Sequence, residues 1–90
     1  MRIKQLILKV DSWELEEENG HQQIVRNFKF KNFVEAMSFV NKVADVAEVE
    51  GHHPNIDIKY NKVRLTNYTH AIKGLHDNDF ILAAKIDELL

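Results

Sequence analysis

One dipeptide, Asn19-Gly20, sets the strongest local constraint on the fold of this chain. Both residues tolerate a positive φ, which the central positions of the tightest β-hairpin turns require. The register that follows from such a turn consists of three cross-strand pairs: Glu18 with His21, Leu15 with Ile24, and Trp13 with Arg26. The dipeptide therefore predicts an antiparallel hairpin whose first strand runs from Trp13 to Glu18, with Ile24, Phe28 and Phe30 of the return strand facing the core.

A second hairpin is predicted after Pro54, the only proline of the chain. Apolar residues, among them Ile58 and Tyr60, alternate there with charged ones, as in a strand that buries one face. Asn61-Lys62 is the expected turn, although lysine suits the second turn position less well than glycine. The pairs that this turn predicts are Tyr60 with Val63 and Ile58 with Leu65. On this interpretation Tyr60 belongs to the core.

Three stretches have the periodicity of helices: about residues 3–10, the region between Asn32 and Gly51, and about residues 77–90. Asn32, followed three residues later by Glu35, predicts an N-terminal cap, and Gly51 predicts a left-handed C-terminal cap. In the long helix, the residues expected to face the protein core are Phe33, Ala36, Met37, Val40, Val43, Ala44 and Ala47. Those of the last helix are Leu82, Ala83, Ile86, Leu89 and Leu90.

Phe39 and Val46 share a second apolar stripe at the margin of the long helix. The stripe is interpreted as the edge of the core, with a contact between subunits as the alternative. The elements together follow the order helix, hairpin, helix, hairpin, helix. This order predicts a single α+β domain over residues 1–90, with a layer of helices on an antiparallel sheet.

Composition excludes several classes of function. The 90 residues include 12 basic and 14 acidic side chains and no cysteine. The net charge of −2 is unfavourable for a general nucleic-acid binder, and the lack of cysteine excludes disulfides and thiolate nucleophiles. No run of about 20 apolar residues is present to span a membrane. Residues 1–10 lack the cleavage site of a signal peptide, so we expect a cytoplasmic protein without membrane or nucleic-acid partners.

The candidate site is a group of histidines. His52 and His53 follow the long helix directly, one turn after Glu48, and Pro54 then restricts the backbone. Successive side chains in extended backbone point to opposite sides, so the two histidines are expected to have different roles. His70 follows the second hairpin, whose antiparallel return brings it back towards the start of that hairpin. We therefore expect His52, His53 and His70 to share one site, suited to acid–base chemistry near neutral pH.

Alternative interpretations remain open for some of these residues. A histidine cluster is also typical of a zinc or copper site, but adjacent histidines chelate one ion poorly. Asp79 falls in the first turn of the last helix, where a carboxylate caps exposed amides, and a role in holding His70 is equally plausible. His21 and His76 have no partners at informative spacing and are interpreted as a turn residue and a loop or cap residue.

The spacing of these residues resembles the signature of the pterin-4a-carbinolamine dehydratase family. Three residues separate Glu48 from His52-His53-Pro54. Five residues then lie before Tyr60, nine between Tyr60 and His70, and eight between His70 and Asp79. The likeness extends over about residues 13–90 and includes three further segments: Phe28-Lys29-Phe30-Lys31-Asn32-Phe33, Tyr60-Asn61-Lys62-Val63 and Thr69-His70. The chain departs from the family pattern at three positions: Gly51, Ile56 and His76.

The resemblance implies a four-stranded antiparallel sheet with helices packed on one face, in homodimers or homotetramers. It also implies dehydration of 4a-hydroxytetrahydropterins to quinonoid dihydropterins, in the recycling of tetrahydropterins, without a metal or an organic cofactor. The family's three site histidines correspond to His52, His53 and His70, and its pterin-contacting glutamate corresponds to Glu48. Pro54 then shapes the substrate-binding loop, and Asp79 supports the third histidine.

From these correspondences we expect His52 and His70 to be the proton-transferring pair. His53 would mainly hold the substrate, and Glu48 would bind the polar edge of the pterin. Two other functions are compatible with the sequence. One is a non-catalytic dimerisation cofactor for a partner protein, and the other is an enzyme of another pterin pathway.

Overall fold

The computed structural model describes residue 10 and residues 12–90, so the helix predicted over about residues 3–10 lies almost entirely outside the described residues. The elements follow in the order β1 (Glu14–Glu18), β2 (His21–Lys29), α1 (Phe33–Glu50), β3 (Asn55–Lys59), β4 (Lys62–Asn67), a 3-10 helix (His70–Ile72) and α2 (Asp77–Asp87). The strands form one antiparallel sheet in the order β1-β2-β4-β3. The predicted α+β class and four-stranded antiparallel sheet are confirmed.

The first hairpin forms at the predicted turn. Asn19 and Gly20 have φ angles of 51° and 79°, and the strands pair Glu18 with His21 and Leu15 with Ile24 as expected. The strand begins one residue later than predicted, because Trp13 precedes β1. The indole of Trp13 is buried, and its Nε1 donates a hydrogen bond of 2.9 Å to Asp87 of α2.

The predicted turn of the second hairpin is wrong by one residue, which shifts the pairing of its strands by two residues. The turn is at Tyr60 and Asn61, so the observed pairs are Lys59 with Lys62, Ile58 with Val63, and Ile56 with Leu65. Tyr60 adopts a positive φ of 53° and is 65% exposed, so it is not a core residue. The amide side chain of Asn61 donates to the carbonyl of Phe30 over 2.9 Å, and this bond to the end of β2 favours the observed turn.

Both predicted caps of α1 are present. The Asn32 side chain accepts from the amide of Glu35, and Gly51 is left-handed with a φ of 64°. The buried residues of the helix are Ala36, Phe39, Val40, Val43 and Ala47. Phe33 and Ala44 are exposed, contrary to the prediction, because the core-facing stripe runs through Phe39. The Phe39 ring packs against Phe28 and Phe30 at 4.7 and 5.0 Å, which confirms it as a core residue.

The last helix is shorter than predicted. Leu82, Ala83 and Ile86 are buried as expected, but α2 ends at Asp87 and Leu90 is exposed. Phe80, which the periodicity did not identify, is also buried. Both helices cover the face of the sheet that carries Ile24, Phe28, Val63 and Leu65. No helix within the described part of the chain is long and apolar enough to cross a membrane.

Candidate active site

The end of α1 determines where the adjacent histidines lie. Since Gly51 is left-handed, the chain turns sharply out of the helix. The His52 amide still donates to the carbonyl of Ala47 over 3.1 Å, so the first histidine is held against the last helical turn. Pro54 is half-buried and precedes β3 directly. The two histidines therefore occupy a short, well-defined connection between α1 and the sheet.

His52 contacts a buried carboxylate. Its Nε2 lies 2.5 Å from Oδ1 of Asp79, whose side chain is fully buried, while the His52 side chain is 17% exposed. A carboxylate accepts hydrogen bonds, so Nε2 carries the proton in this contact. In the neutral ring, Nδ1 is then the nitrogen with a free lone pair. The contact thus fixes both the orientation and the tautomer of this imidazole.

Asp79 has two further donors and belongs to the cap of α2. Its Oδ2 accepts from the Thr69 hydroxyl and from the His76 amide, each at 2.9 Å. His76 is the N-cap residue, and its Nδ1 accepts from the Asn78 amide at 3.5 Å. The predicted capping role of Asp79 is therefore present. Three donors from three different segments of the chain converge on this one carboxylate.

The histidine that Asp79 contacts is His52, not His70 as expected. The third position of a helix points back towards its cap, which directs Oδ2 to Thr69 and His76 and leaves Oδ1 facing the end of α1. His70 lies at the start of the 3-10 helix, where its ring is 4.2 Å from the ring of Tyr68. The Asp79 carboxylate nevertheless connects His52 to the segment of His70, because it also accepts from Thr69, the residue immediately before His70.

His53 and Glu48 form a separate pair on the surface. His53 Nε2 lies 2.5 Å from Glu48 Oε2, and both side chains are largely exposed, at 62% and 77%. His52 and His53 thus have different partners, one buried and one accessible to solvent. That the two histidines have different roles stays a prediction. Within residues 12–90, no three side chains of the metal-ligating types converge on one point.

The structure brings three further residues, Thr69, Tyr68 and His21, close to the candidate site. Thr69 donates to the carboxylate of Asp79. The Tyr68 ring contacts two imidazoles, that of His21 at 4.1 Å in a stacked arrangement and that of His70 at 4.2 Å. The contact between His21 and Tyr68 depends on the pairing of β2 with β4. Neither hairpin alone reveals that pairing, so no signal in the local sequence indicates that His21 approaches Tyr68.

Comparisons with known proteins identify the family of the chain. A sequence profile of the family described as pterin 4 alpha carbinolamine dehydratase matches residues 1–89. A relative from Marinobacter nauticus, named provisionally as a pterin-4-alpha-carbinolamine dehydratase, is 54% identical over 87 residues, which are 96% of this chain and 78% of the relative. A relative with the same name from Saccharophagus degradans is 48% identical over 84 residues, which are 93% of this chain and 74% of the relative.

Solved structures share the fold. The crystal structure of a transcriptional coactivator/pterin dehydratase from Brucella melitensis has a TM-score of 0.86 and 32% identity, covering 97% of this chain and 90% of that one. A pterin dehydratase-like protein that is a RuBisCO assembly factor in the α-carboxysome has a TM-score of 0.72 and 23% identity, covering 87% and 88%, and this likeness concerns the fold alone. The chain belongs to the pterin-4α-carbinolamine dehydratase family of hydro-lyases.

Proposed function

We propose that this protein dehydrates 4a-hydroxytetrahydropterin to the quinonoid dihydropterin, as a step in tetrahydropterin recycling. Membership of the family supports the reaction. The observation that supports histidine catalysis most directly is the contact between the Nε2 of His52 and the buried carboxylate of Asp79. An imidazole anchored through one nitrogen presents the other in a fixed direction, as a general acid or base requires.

The reaction needs two proton transfers. The bond between C4a and the hydroxyl oxygen breaks, and this oxygen takes up a proton so that it leaves as water. The proton on N5 is removed, and its electron pair forms the C4a–N5 double bond. Acid–base assistance of this kind contributes about 10²–10⁴-fold in rate. A modest acceleration of this size suits an open site on a small domain.

His52 is assigned as the base that takes the N5 proton. Its Nδ1 is free to accept, and the positive charge that forms on the ring is stabilised by the Asp79 carboxylate at 2.5 Å. His70 is assigned as the acid that protonates the leaving oxygen. It is exposed and adjoins Thr69, which shares the Asp79 carboxylate with His52. As an exposed ring, His70 exchanges its proton with solvent between turnovers.

Glu48 and His53 are assigned to substrate binding. The N–H groups of the pterin ring require an acceptor, and the Glu48 carboxylate is exposed for this role. His53 holds the carboxylate in position through the contact of 2.5 Å between its Nε2 and Oε2. Pro54 restricts the backbone that carries both histidines. This division predicts that changes at His53 affect binding more than the bound barrier.

Stopped-flow measurement with freshly generated 4a-hydroxytetrahydropterin tests the proposal. We expect His52→Ala and His70→Ala each to lower kcat, and His53→Ala to raise KM with little change in kcat. Ser38→Ala, an exposed position on α1, is the control and should match the wild type. Wild-type protein that leaves the spontaneous decay unchanged would refute the dehydratase function. A normal kcat in both His52→Ala and His70→Ala would refute the histidine assignment alone.

A non-catalytic role as a binding module for a partner protein is the second candidate. The Brucella melitensis relative is described as a transcriptional coactivator as well as a pterin dehydratase, which keeps this candidate open. Such a role does not need the histidines. A complex with a partner that survives replacement of His52, His53 and His70 by alanine, in a protein without dehydratase activity, would support it.

We further propose that the chain acts in the cytoplasm as a homodimer or homotetramer. A core of this size gains stability from a shared interface. Among the described strands β3 lies at an edge of the sheet, with the apolar side chain of Ile58 at 36% exposure. By contrast, the other edge, β1, carries four glutamates. Sedimentation at micromolar concentration should show a dimer or tetramer, and a stable monomer would contradict the proposal.

A further inference from the structure

We propose that the outer face of the sheet carries a binding site for small oligophosphate anions, centred on Lys29, Lys59 and Lys62. These three residues are called the lysine row. The outer face is the one opposite the helices, so the row is separate from the contact between His52 and Asp79. The inference does not depend on the dehydratase reaction.

The register of the strands creates the row. Lys62 of β4 is the direct cross-strand partner of Lys29 in β2 and of Lys59 in β3. Directly opposed residues project from the same face of a sheet, at a separation of about 5 Å between neighbouring strands. The backbone attachment points of three lysine side chains therefore lie side by side across about 10 Å. Like charges placed directly opposite each other destabilise a sheet.

The repulsion within the row is not relieved by the described part of the protein. Other basic side chains have acidic partners: Arg26 pairs with Asp87, Arg64 with Glu16, and Lys85 with Glu50. No ion pair or hydrogen bond joins a lysine of the row to a side chain among residues 12–90. Among the residues that line the cavity beside the row, Asp57 is the one that carries a carboxylate, and Glu16 neutralises Arg64, so the local charge stays positive in a chain whose net charge is −2.

The row borders a concave surface of ligand size. A cavity of about 730 Å³ is lined by the three lysines together with Asn27, Asp57 and Arg64. Typical small-molecule sites have volumes of about 300–1,000 Å³. Phe28 and Val63 also border the cavity. It thus combines excess positive charge, one amide side chain that can donate, and enough room for a compact ligand.

The backbone under the row is held rigidly. The Phe30 amide donates to the carbonyl of Asn61 over 2.8 Å, and the Asn61 side chain donates back to the carbonyl of Phe30 over 2.9 Å. This reciprocal pair fixes the turn between Lys59 and Lys62 against the end of β2, which carries Lys29. Charges on a rigid backbone lose less entropy when they bind a ligand than charges on a mobile loop.

Oligophosphates match this arrangement best. Lysine binds phosphate as a point charge without the planar geometry that arginine imposes. A ligand with two or three linked phosphates neutralises neighbouring lysines simultaneously, which one monovalent anion cannot do. Nucleic acid is disfavoured because the rest of the chain is net negative. The predicted ligand is therefore an inorganic oligophosphate or a small organic oligophosphate ester.

Calorimetric titration with sodium tripolyphosphate tests the site, and amide NMR shifts locate it. We expect saturable binding, with shifts concentrated at Lys29, Lys59 and Lys62, and much weaker binding of inorganic phosphate. Lys62→Gln, which removes the central charge, should weaken binding about five- to tenfold. It should also raise the melting temperature of the unliganded protein, since it relieves repulsion.

Lys42→Gln is the matched control. It removes the same charge from an exposed position on α1, outside the row, and should leave tripolyphosphate affinity within about twofold. Equal weakening by both variants would show general attraction by charge and would overturn the proposal. The proposal is also overturned if tripolyphosphate binding does not saturate, or if a single-stranded oligonucleotide binds where tripolyphosphate does not.

Discussion

Replacement of Asp79 by asparagine tests how one carboxylate serves both the fold and the site. Asp79 is fully buried, and donors from His52, Thr69 and His76 converge on its two oxygens. Asparagine has the same shape but only one acceptor oxygen. If that oxygen stays with Thr69 and the His76 amide, the new NH₂ group faces the Nε2 of His52. The ring must then move its proton to Nδ1, the nitrogen assigned as the base.

The magnitudes follow from the three lost or altered contacts. A hydrogen bond to a charged group contributes about 1.5–3 kcal/mol to stability, and a neutral one about 0.5–1.5 kcal/mol. We expect Asp79→Asn to lower the free energy of unfolding by about 2–4 kcal/mol. A small domain has about 0.05–0.15 kcal/mol of stability per residue, so the variant should remain mostly folded at 20 °C. Its kcat should fall about 10²–10³-fold, because the base is protonated.

Thr69→Val is the matched control for this variant. It removes a donor to Oδ2 but leaves the contact between His52 and Oδ1 intact. We expect it to cost about 1 kcal/mol of stability and to change kcat less than about threefold. Urea denaturation and stopped-flow assays on both variants separate the two roles. If Asp79→Asn loses stability but keeps the kcat of Thr69→Val, Asp79 is only a helix cap.

Three further predictions concern other parts of the molecule. The hydrogen bond from the Gln23 side chain, and then that from Arg64, lower the pKa of Glu16 below its usual value. These contacts therefore stabilise the fold fully at pH values above the usual pKa of glutamate, and this stabilisation is lost as the pH falls through the lowered pKa of Glu16. Gln23→Met should raise the pKa of Glu16 in an NMR titration, and an unchanged pKa would show that Arg64 alone sets it. Gly51→Ala should lower the free energy of unfolding by about 1–2 kcal/mol, because a residue with a Cβ disfavours the left-handed φ of 64°, although a Cβ at this position would have no atom within 4 Å. Urea denaturation followed by Trp13 fluorescence measures this change, and an unchanged free energy of unfolding would show that the helix end rearranges. Exhaustive chelation should leave the dehydratase rate unchanged, and loss of activity that one divalent ion restores would contradict the metal-free mechanism.

Local chemistry made part of the fold predictable. Asn19 and Gly20 specify one turn, and the register of the first hairpin followed from it. The caps of α1 were equally predictable, because Asn32 and Gly51 each satisfy a particular backbone requirement. The predicted turn of the second hairpin was wrong because Tyr60 adopts a positive φ, which its residue type disfavours. The bond between Asn61 and Phe30, which joins distant segments, favours that turn.

The sequence predicted which residues form the candidate site, and their roles stay a prediction. Their spacing did not predict the contacts of the individual rings. The partner of each ring depends instead on how α1 meets α2 and how β2 pairs with β4. For that reason Asp79 was predicted to support His70, whereas its carboxylate contacts His52. The stacking of Tyr68 on His21 is a long-range contact of the same kind.

The rate of 4a-hydroxytetrahydropterin decay with the variant His52→Ala/His70→Ala tests the central claim most directly. The stopped-flow trace should show turnover close to the spontaneous rate, while circular dichroism and sedimentation match those of the wild type. This result would assign the two proton transfers to the two imidazoles. Turnover near the wild-type rate in the folded double variant would contradict the account, because both rings would then be dispensable for the reaction.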